Sequence, residues 1–466
     1  MSAQTKTEKM YATAPPGRLF FTVAMPGMIS MFAMSIYSLI EGIFIGQTLG
    51  ESAFAAINIA MPLVMITFAL ADLVGVGASA PTSIALGRGD RETANNVFSA
   101  SVLLIFLVSV SMGAIMFFAA EPLARLMGAD AELLSTSVRY LRTVALCSPL
   151  APIFFAMDNY LRISGYVKTS MAINILCNLL TLALLTLFLL VFKMDVVGSA
   201  LATSISMCLA AVVALLPFIF KQALLEFRRP KFSLSMLRQI AACGSPVFLS
   251  NVSGRVTSIL MNISLMTLGA RAFGEGGGQT AVAIYAVLMY SSDLAWPLLY
   301  GIADSLSPAL GYNWGAKNFR RVKSISASAF FGTAVVGLLS TALLFFFPDR
   351  IAAWFVKAED TRLLTEATRA IRLFCTAYLF RWLAVTTQSL LSAIGKPLAA
   401  MLVSVGTAFV FPILLLGALW PLGLDGIWLN FAFVNLAAAV LSIILVLRLL
   451  REMRPSDLER PKKSDV

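Results

Sequence analysis

Glu41 is the first residue of the 466-residue chain that places a charge inside a long apolar stretch. It lies in residues 25–50, MPGMISMFAMSIYSLIEGIFIGQTLG, whose other residues are uncharged. About 20 apolar residues at 1.5 Å per residue cross the roughly 30 Å hydrocarbon core of a bilayer. A carboxylate in such a helix usually faces a water-filled cavity or a partner. Glu41 is therefore a candidate for binding a proton or a cation.

The chain has no histidine, so proton transfer near neutral pH would depend on carboxylates in unusual surroundings. Glu41 could take up a proton outside the membrane and release it inside. It could equally give Na⁺ one hard oxygen ligand, with amide oxygens as further ligands. The alternative is that Glu41 extends from its helix end towards the outer interface, since it lies close to Gly46.

Asp293 is a second carboxylate in an apolar stretch, MYSSDLAWPLLYG, residues 289–301. Its aromatic neighbours are Tyr290, Trp296 and Tyr300. A negative charge beside aromatic faces suits an organic cation, so we interpret these residues as a substrate site. The alternative is a buried ion pair of Asp293 with Arg255 or Arg381.

Four further charged residues lie in apolar stretches, and they are Asp72, Arg255, Asp304 and Arg381. Asp72 and Asp304 are near the ends of their stretches, where bonding to neighbouring helix ends is the better interpretation. We expect all four to be structural or gating residues, in ion pairs where a partner is near.

The composition identifies an all-α integral membrane protein. Hydrophobic residues make up 59% of the chain and charged residues 13%, whereas soluble chains carry about 25% charged residues. The net charge of +11 reflects basic loops and does not indicate nucleic acid binding. The five cysteines lie in apolar stretches without a C-x-x-C pair, so we expect no metal site and no disulfide framework.

Apolar stretches between polar breaks predict about twelve transmembrane helices. The predicted spans are 19–46, 53–86, 94–119, 134–162, 168–192, 196–220, 240–269, 280–311, 322–347, 363–393, 398–420 and 425–449. They group into an amino-terminal six-helix bundle (1–220), a basic linker (221–239) and a carboxyl-terminal six-helix bundle (240–466).

The two bundles repeat one another. Residues 78–97 parallel residues 303–322, and a shift of 228 residues aligns Gly87 with Gly315. Three further pairs follow in the same order, Pro26 with Pro246, Gly165 with Gly395, and Gly198 with Gly426. An even number of spans per bundle gives both the same orientation, related by a pseudo-two-fold axis along the membrane normal. Paired bundles with a cavity between them suit alternating access.

Most of the 35 lysines and arginines fall in loops on one side of the predicted spans and in the two termini. The positive-inside rule therefore predicts a multi-pass protein of the cell (inner) membrane, with both termini in the cytoplasm. No G-x-x-x-x-G-K-[ST] motif is present, so we expect an ion gradient rather than ATP to supply energy.

The sequence resembles the multidrug and toxic compound extrusion (MATE) family, bacterial or archaeal type, over residues 18–450. The matching motifs are Pro26, EGIFIGQTLG (41–50), ALGRGDRETA (85–94), LRISG (161–165) and GYNWGAKNFRR (311–321). The resemblance implies a V-shaped pair of bundles that exports organic cations against an H⁺ or Na⁺ gradient, a factor in drug resistance. It also implies that Asn174 and Asn178, one turn apart, share the ion-coupling site with Glu41; otherwise these asparagines bond neighbouring helices.

Two residues depart from the family pattern. Glu41 stands where the family usually has Asp, and Asn178 stands where one branch has a second Asp. A second branch has carboxylates in the seventh and tenth spans, where this chain has Arg255 and Arg381. The branch and the coupling ion therefore stay open.

We predict a secondary antiporter that exports small organic cations, that is not an enzyme, and that works as a monomer without cofactor, ATP or nucleic acid. We expect membrane lipid to surround the protein. The alternative is a flippase for a lipid-linked sugar, although its anionic head would favour several arginines in the cavity. A receptor or channel would need a sensor domain or a charged pore ring, and neither is found in the sequence.

Overall fold

A computed structural model describes residues 10–356 and 360–453, and helix is the only regular structure in these ranges. Both chain termini, residues 1–9 and 454–466, lie outside the described residues, as do the predictions made for them. The all-α expectation is confirmed.

The helices of the amino-terminal half are α1 (Pro16–Gly50), α2 (Ser52–Gly87), α3 (Arg91–Phe118), α4 (Ala120–Leu126), α5 (Ala131–Cys147), α6 (Ile153–Ile163), α7 (Val167–Val191) and α8 (Val196–Ile219). Those of the carboxyl-terminal half are α9 (Leu234–Phe273), α10 (Gly277–Gly315), α11 (Phe319–Phe346), α12 (Pro348–Ala352), α13 (Thr361–Phe374), α14 (Tyr378–Ala393), α15 (Pro397–Val405), α16 (Phe411–Leu419) and α17 (Gly423–Glu452).

Nine helical segments of the described residues are long and apolar enough to cross a membrane. Two predicted spans are instead broken helices, and they occupy the same place in each half. Residues 134–162 contain α5 and α6, separated where Pro149 and Pro152 interrupt the helix. Residues 363–393 contain α13 and α14, joined by a 3₁₀ turn at Cys375–Ala377. The count of twelve crossings stays a prediction.

The first helix carries a wide turn at Phe20–Ala24, immediately before Pro26. Proline has no N–H to donate, so the backbone there adjusts by a π-helical turn. The helix continues to Gly50, whose φ of 81° turns the chain into α2. A left-handed φ favours glycine, which explains why the α1–α2 connection is so short.

The predicted linker 221–239 extends too far, because α9 already begins at Leu234. The remaining segment is attached to the start of α3. Asn96 accepts the Lys231 N–H at 2.7 Å and donates to the Lys231 carbonyl at 3.0 Å. Ser99 and Asn95 accept the N–H groups of Arg228 and Glu226. Residues 226–231 are thus hydrogen-bonded to the amino-terminal half.

The halves meet through glycines at the end of the molecule that carries the loops 88–90, 220–233 and 316–318, which we call the basic end. A Cβ on Gly87 would lie 1.9 Å from the Tyr312 carbonyl oxygen, and one on Gly315 would lie 2.1 Å from the Ile84 carbonyl oxygen. Glycine allows helix backbones to approach this closely in membranes. The aligned glycines of the two repeats therefore each pack against the backbone of the other half.

Candidate functional site

The first candidate site is a cavity of about 520 Å³ inside the amino-terminal half, with Glu41 in its wall. The side chain of Glu41 is half-buried. The Thr203 hydroxyl, on α8, donates a hydrogen bond of 3.1 Å to Glu41 Oε1. Tyr37 lies beside the carboxylate, and Thr181 lies beside the Tyr37 hydroxyl. Hydroxyl groups around a carboxylate give a proton or a small cation further oxygen partners.

Asn174 and Asn178 of α7 line the same cavity, as the resemblance implied. The Asn174 amide donates at 2.7 Å to Asp158 Oδ1 and at 3.0 Å to the Ser170 carbonyl. Both amide hydrogens of Asn174 are therefore engaged in hydrogen bonds. The structure places these asparagines with Glu41 in one lobe, and their role in ion coupling stays a prediction.

Asp72 of α2 also lines this cavity. The sequence favoured a bond to a neighbouring helix end for Asp72, and this role stays a prediction. The cavity consequently has two carboxylates, Glu41 and Asp72, on different helices.

The second candidate site is a cavity of about 590 Å³ between the halves, bordered by α1, α9 and α10. Its wall contains the predicted substrate residues Asp293, Tyr290, Trp296 and Tyr300. The Asp293 side chain is exposed to the cavity, and its backbone carbonyl accepts a 2.6 Å hydrogen bond from Ser35 of α1. The four residues predicted as a group thus lie together.

Helix α1 separates the two cavities. Met34 and Ser38 border both of them, whereas Glu41 faces the first and Ser35 faces the second. A movement of α1 would change both cavities at once.

The alternative ion pair of Asp293 with an arginine is not formed. Among the described residues no carboxylate lies within 4 Å of Arg255 or Arg381. Arg381 stacks on Trp296 instead, with its guanidinium carbon 3.8 Å from the ring centroid. Arg255 is exposed on α9. Arg381 thus interacts with the charge of Asp293 without a salt bridge, and the roles of both arginines stay predictions.

Asp304 forms its ion pair with Arg162, at 3.8 Å, and not with Arg255 or Arg381. Arg162 is 2% exposed and also pairs with Asp158 at 2.6 Å. The sequence interpretation missed the Asp158–Arg162 pair because it treated Arg162 as part of the LRISG motif and as a basic residue at the cytoplasmic side. The signal was present, since Asp158 and Arg162 stand one helical turn apart in an apolar stretch.

The helices and cavities together define a polytopic membrane protein built from two repeated halves, with charged groups held in internal cavities. The family model MatE matches residues 26–187 and 255–416, one stretch in each half. These matches cover more than half of the chain. The chain belongs to the MatE family, whose members are membrane transporters and not enzymes.

Relatives match almost the whole chain. The multidrug export protein MepA of Staphylococcus saprophyticus is 25% identical over 457 residues, covering 96% of this chain and 97% of the relative. MepA of Staphylococcus aureus strain MSSA476 is 25% identical over 462 residues, with the same coverage.

Solved structures share the fold. An outward-facing MATE family transporter of the MOP superfamily has a TM-score of 0.88 at 22% identity, covering 96% of this chain and 98% of that one. A MATE crystal structure in complex with MaD3S has a TM-score of 0.89 at 22% identity, covering 96% and 99%. The two-lobed all-α membrane fold is thereby confirmed.

Proposed function

We propose that this protein is a multidrug exporter that moves organic cations out of the cell in exchange for inward H⁺ or Na⁺. The supporting observation is the arrangement of two acidic cavities on opposite sides of α1, with Glu41 in one and Asp293 in the other. Two sites that share one movable wall suit an exchange in which occupancy of either affects the other. The relatives named multidrug export proteins support the same class of substrate.

Glu41 is the coupling carboxylate in this proposal, with Asn174, Asn178 and Thr203 as oxygen partners. Asp293, with Tyr290, Trp296 and Tyr300, binds the organic cation by charge and aromatic faces. We assign the basic end to the cytoplasm, because Lys and Arg concentrate in loops that stay inside. Both cavities are built from one chain, which supports action as a monomer.

A flippase for a lipid-linked sugar is less well supported. Among the described residues, the lining of the second cavity includes one carboxylate and neither Lys nor Arg. An anionic pyrophosphate head would meet repulsion there and no bidentate partner.

The test is ethidium efflux from proteoliposomes containing purified protein, with pH and Na⁺ gradients imposed separately. We expect wild-type efflux to follow one gradient and Glu41→Gln to abolish that dependence while the protein stays folded. Glu121→Gln is the matched control, because Glu121 forms an exposed pair with Arg125. Gradient-dependent efflux by Glu41→Gln would contradict the assignment of Glu41, and no wild-type efflux under either gradient would contradict the exporter.

A further inference from the structure

A buried charge cluster connects the amino-terminal cavity to the opposite half of the molecule. Arg162 is 2% exposed, and the Asp158 side chain, which pairs with it at 2.6 Å, is 12% exposed. Burying an ion pair is costly unless its geometry is good and its remaining groups are bonded. The position of either side chain is therefore tightly tied to that of the other.

The cluster reaches the ion-coupling cavity through Asn174. Asp158 Oδ2 holds Arg162, while Asp158 Oδ1 accepts hydrogen bonds from Asn174 and from the Ser170 hydroxyl. The second amide hydrogen of Asn174 goes to the Ser170 carbonyl. With both hydrogens used, the remaining polar atom of Asn174 is its oxygen, the type of atom that binds a cation.

The cluster reaches the carboxyl-terminal half through Arg162. Its guanidinium lies 3.8 Å from Asp304 and donates at 3.3 Å to the Ser305 hydroxyl, both on α10. A cavity of about 20 Å³, enough for one water molecule, lies against Arg162 and Asp304. These contacts exist only while the two halves are packed together.

Tyr11, in the segment before α1, also links the two halves near Arg162. The Tyr11 hydroxyl donates to the Arg162 carbonyl, and the Tyr11 ring is buried. The Tyr11 carbonyl accepts from Asn313, at 3.0 Å, and from Arg321, at 2.8 Å. Arg162 thus lies where the segment and both halves meet.

We propose that Asp158 is a positioning residue for the coupling cation, and that Arg162 makes its action depend on closure of the basic end. This inference rests on the proposed function of the Glu41 cavity. In the closed arrangement Arg162 directs Nη2 to Asp158 Oδ2, Nη1 to Asp304 and Ser305, and Nε to the Ser170 hydroxyl. Asp158 Oδ1 is then free to hold the Asn174 amide. The Asn174 oxygen is then left to bind a cation in the cavity that Asn174 shares with Glu41.

Opening of the basic end removes Asp304 and Ser305 from Arg162. A guanidinium left with one carboxylate pairs with both of its oxygens, the favoured bidentate geometry. Asp158 Oδ1 is then lost to Asn174, whose amide turns away from its cation-binding orientation. The cation is released when its site faces the cytoplasm, and by thermodynamic reciprocity cation binding favours closure.

The test measures the distance between spin labels at Arg88→Cys and Lys317→Cys, exposed positions on the basic end of each half. The five native cysteines are first replaced by alanine. Purified protein in nanodiscs is titrated with Na⁺ against choline at fixed pH, and with pH in the absence of Na⁺. We expect one titration to shorten the distance in the wild type. A wild type that responds to neither cation would overturn the proposal.

Asp304→Asn keeps the Asp158–Arg162 pair intact, so the folded state is retained. We expect it to raise the cation concentration at half-maximal closure roughly 5- to 150-fold, the range of ordinary allosteric coupling. Asp304→Glu should restore the midpoint. Asp349→Asn is the control, since Asp349 is exposed and pairs with the exposed Arg372. An unchanged midpoint in Asp304→Asn would overturn the proposal.

A double-mutant cycle separates this link from general loosening of the structure. Asn174→Ala and Asp304→Asn lie on either side of Asp158, and their effects on the midpoint should be non-additive. Additive effects would overturn the proposal. Ethidium is absent from all of these closure measurements. If the protein closes on cation binding but shows no ethidium efflux, the result contradicts the proposed export function and not the role of Asp158.

Discussion

Gly87→Ala adds one methyl group at a close backbone contact between the halves at the basic end. The added Cβ would lie 1.9 Å from the Tyr312 carbonyl oxygen and 3.0 Å from the Ala316 nitrogen. An ordinary contact begins at 3.4 Å, so the ends of α2 and α10 have to separate by roughly 1.5 Å. Both partners are backbone atoms, so no side-chain rotation relieves the contact.

The cost of this overpacking is about 1–3 kcal/mol. Only the state with a closed basic end carries it, because the open state separates α2 from α10. An energy difference of that size shifts a two-state equilibrium by roughly 5- to 150-fold. We therefore expect Gly87→Ala to move the protein from the closed to the open basic end.

The assay is the spin-label distance between Arg88→Cys and Lys317→Cys, with and without Gly87→Ala. Gly254→Ala is the control, because a Cβ there meets nothing within 4 Å while the helix gains the same residue type. We expect a longer distance in Gly87→Ala and an unchanged one in Gly254→Ala. Identical distance distributions in both variants would refute the reasoning that glycine packing holds the halves together.

Three further predictions concern other contacts. Asp293→Asn should weaken binding of ethidium more than that of a neutral substrate, measured by equilibrium binding to purified protein, and equal loss of both would favour a structural role. Asp90 accepts hydrogen bonds from Thr93 that lower the pKa of its carboxyl, and it caps α3 through the Thr93 N–H; Asp90→Ala should therefore cost about 0.5–2 kcal/mol in thermal stability. That loss should be present above the unfolded-state pKa near 3.9 and vanish as pH falls through the lowered folded-state value, and a pH-independent difference would contradict the carboxylate cap. Asn96→Ala breaks both hydrogen bonds to Lys231 and should speed proteolysis of the segment 220–233, whereas an unchanged cleavage rate would show that Asn95 and Ser99 suffice.

The internal repeat could be detected from the sequence because glycines occur at equivalent positions in the two halves. Gly165 and Gly395, aligned by sequence, have φ values of +83° and +72°. A left-handed backbone strongly favours glycine, so the same turn in each half keeps the same residue. The aligned pair Gly87 and Gly315 persists for a different reason, close helix approach.

Spans interrupted by charge or proline were less predictable. Residues 134–162 and 363–393 form broken helices, and the predicted linker proved partly helical. Hydropathy reports how apolar a stretch is, and it does not report where its hydrogen-bond ladder is interrupted. Breaks such as that at Pro149 and Pro152 are decided by local backbone chemistry.

The sequence by itself determined the membrane class, the two halves and the grouping of Asp293 with Tyr290, Trp296 and Tyr300, because these properties follow from composition, repetition and neighbouring positions on one helix. Only the tertiary structure decided the partners of the buried charges. Asp304 pairs with Arg162 across the interface, Arg381 stacks on Trp296, and Asn174 bonds Asp158. Each contact joins residues on different helices, and helix rotation and packing, which no single stretch of sequence specifies, set which side chains meet.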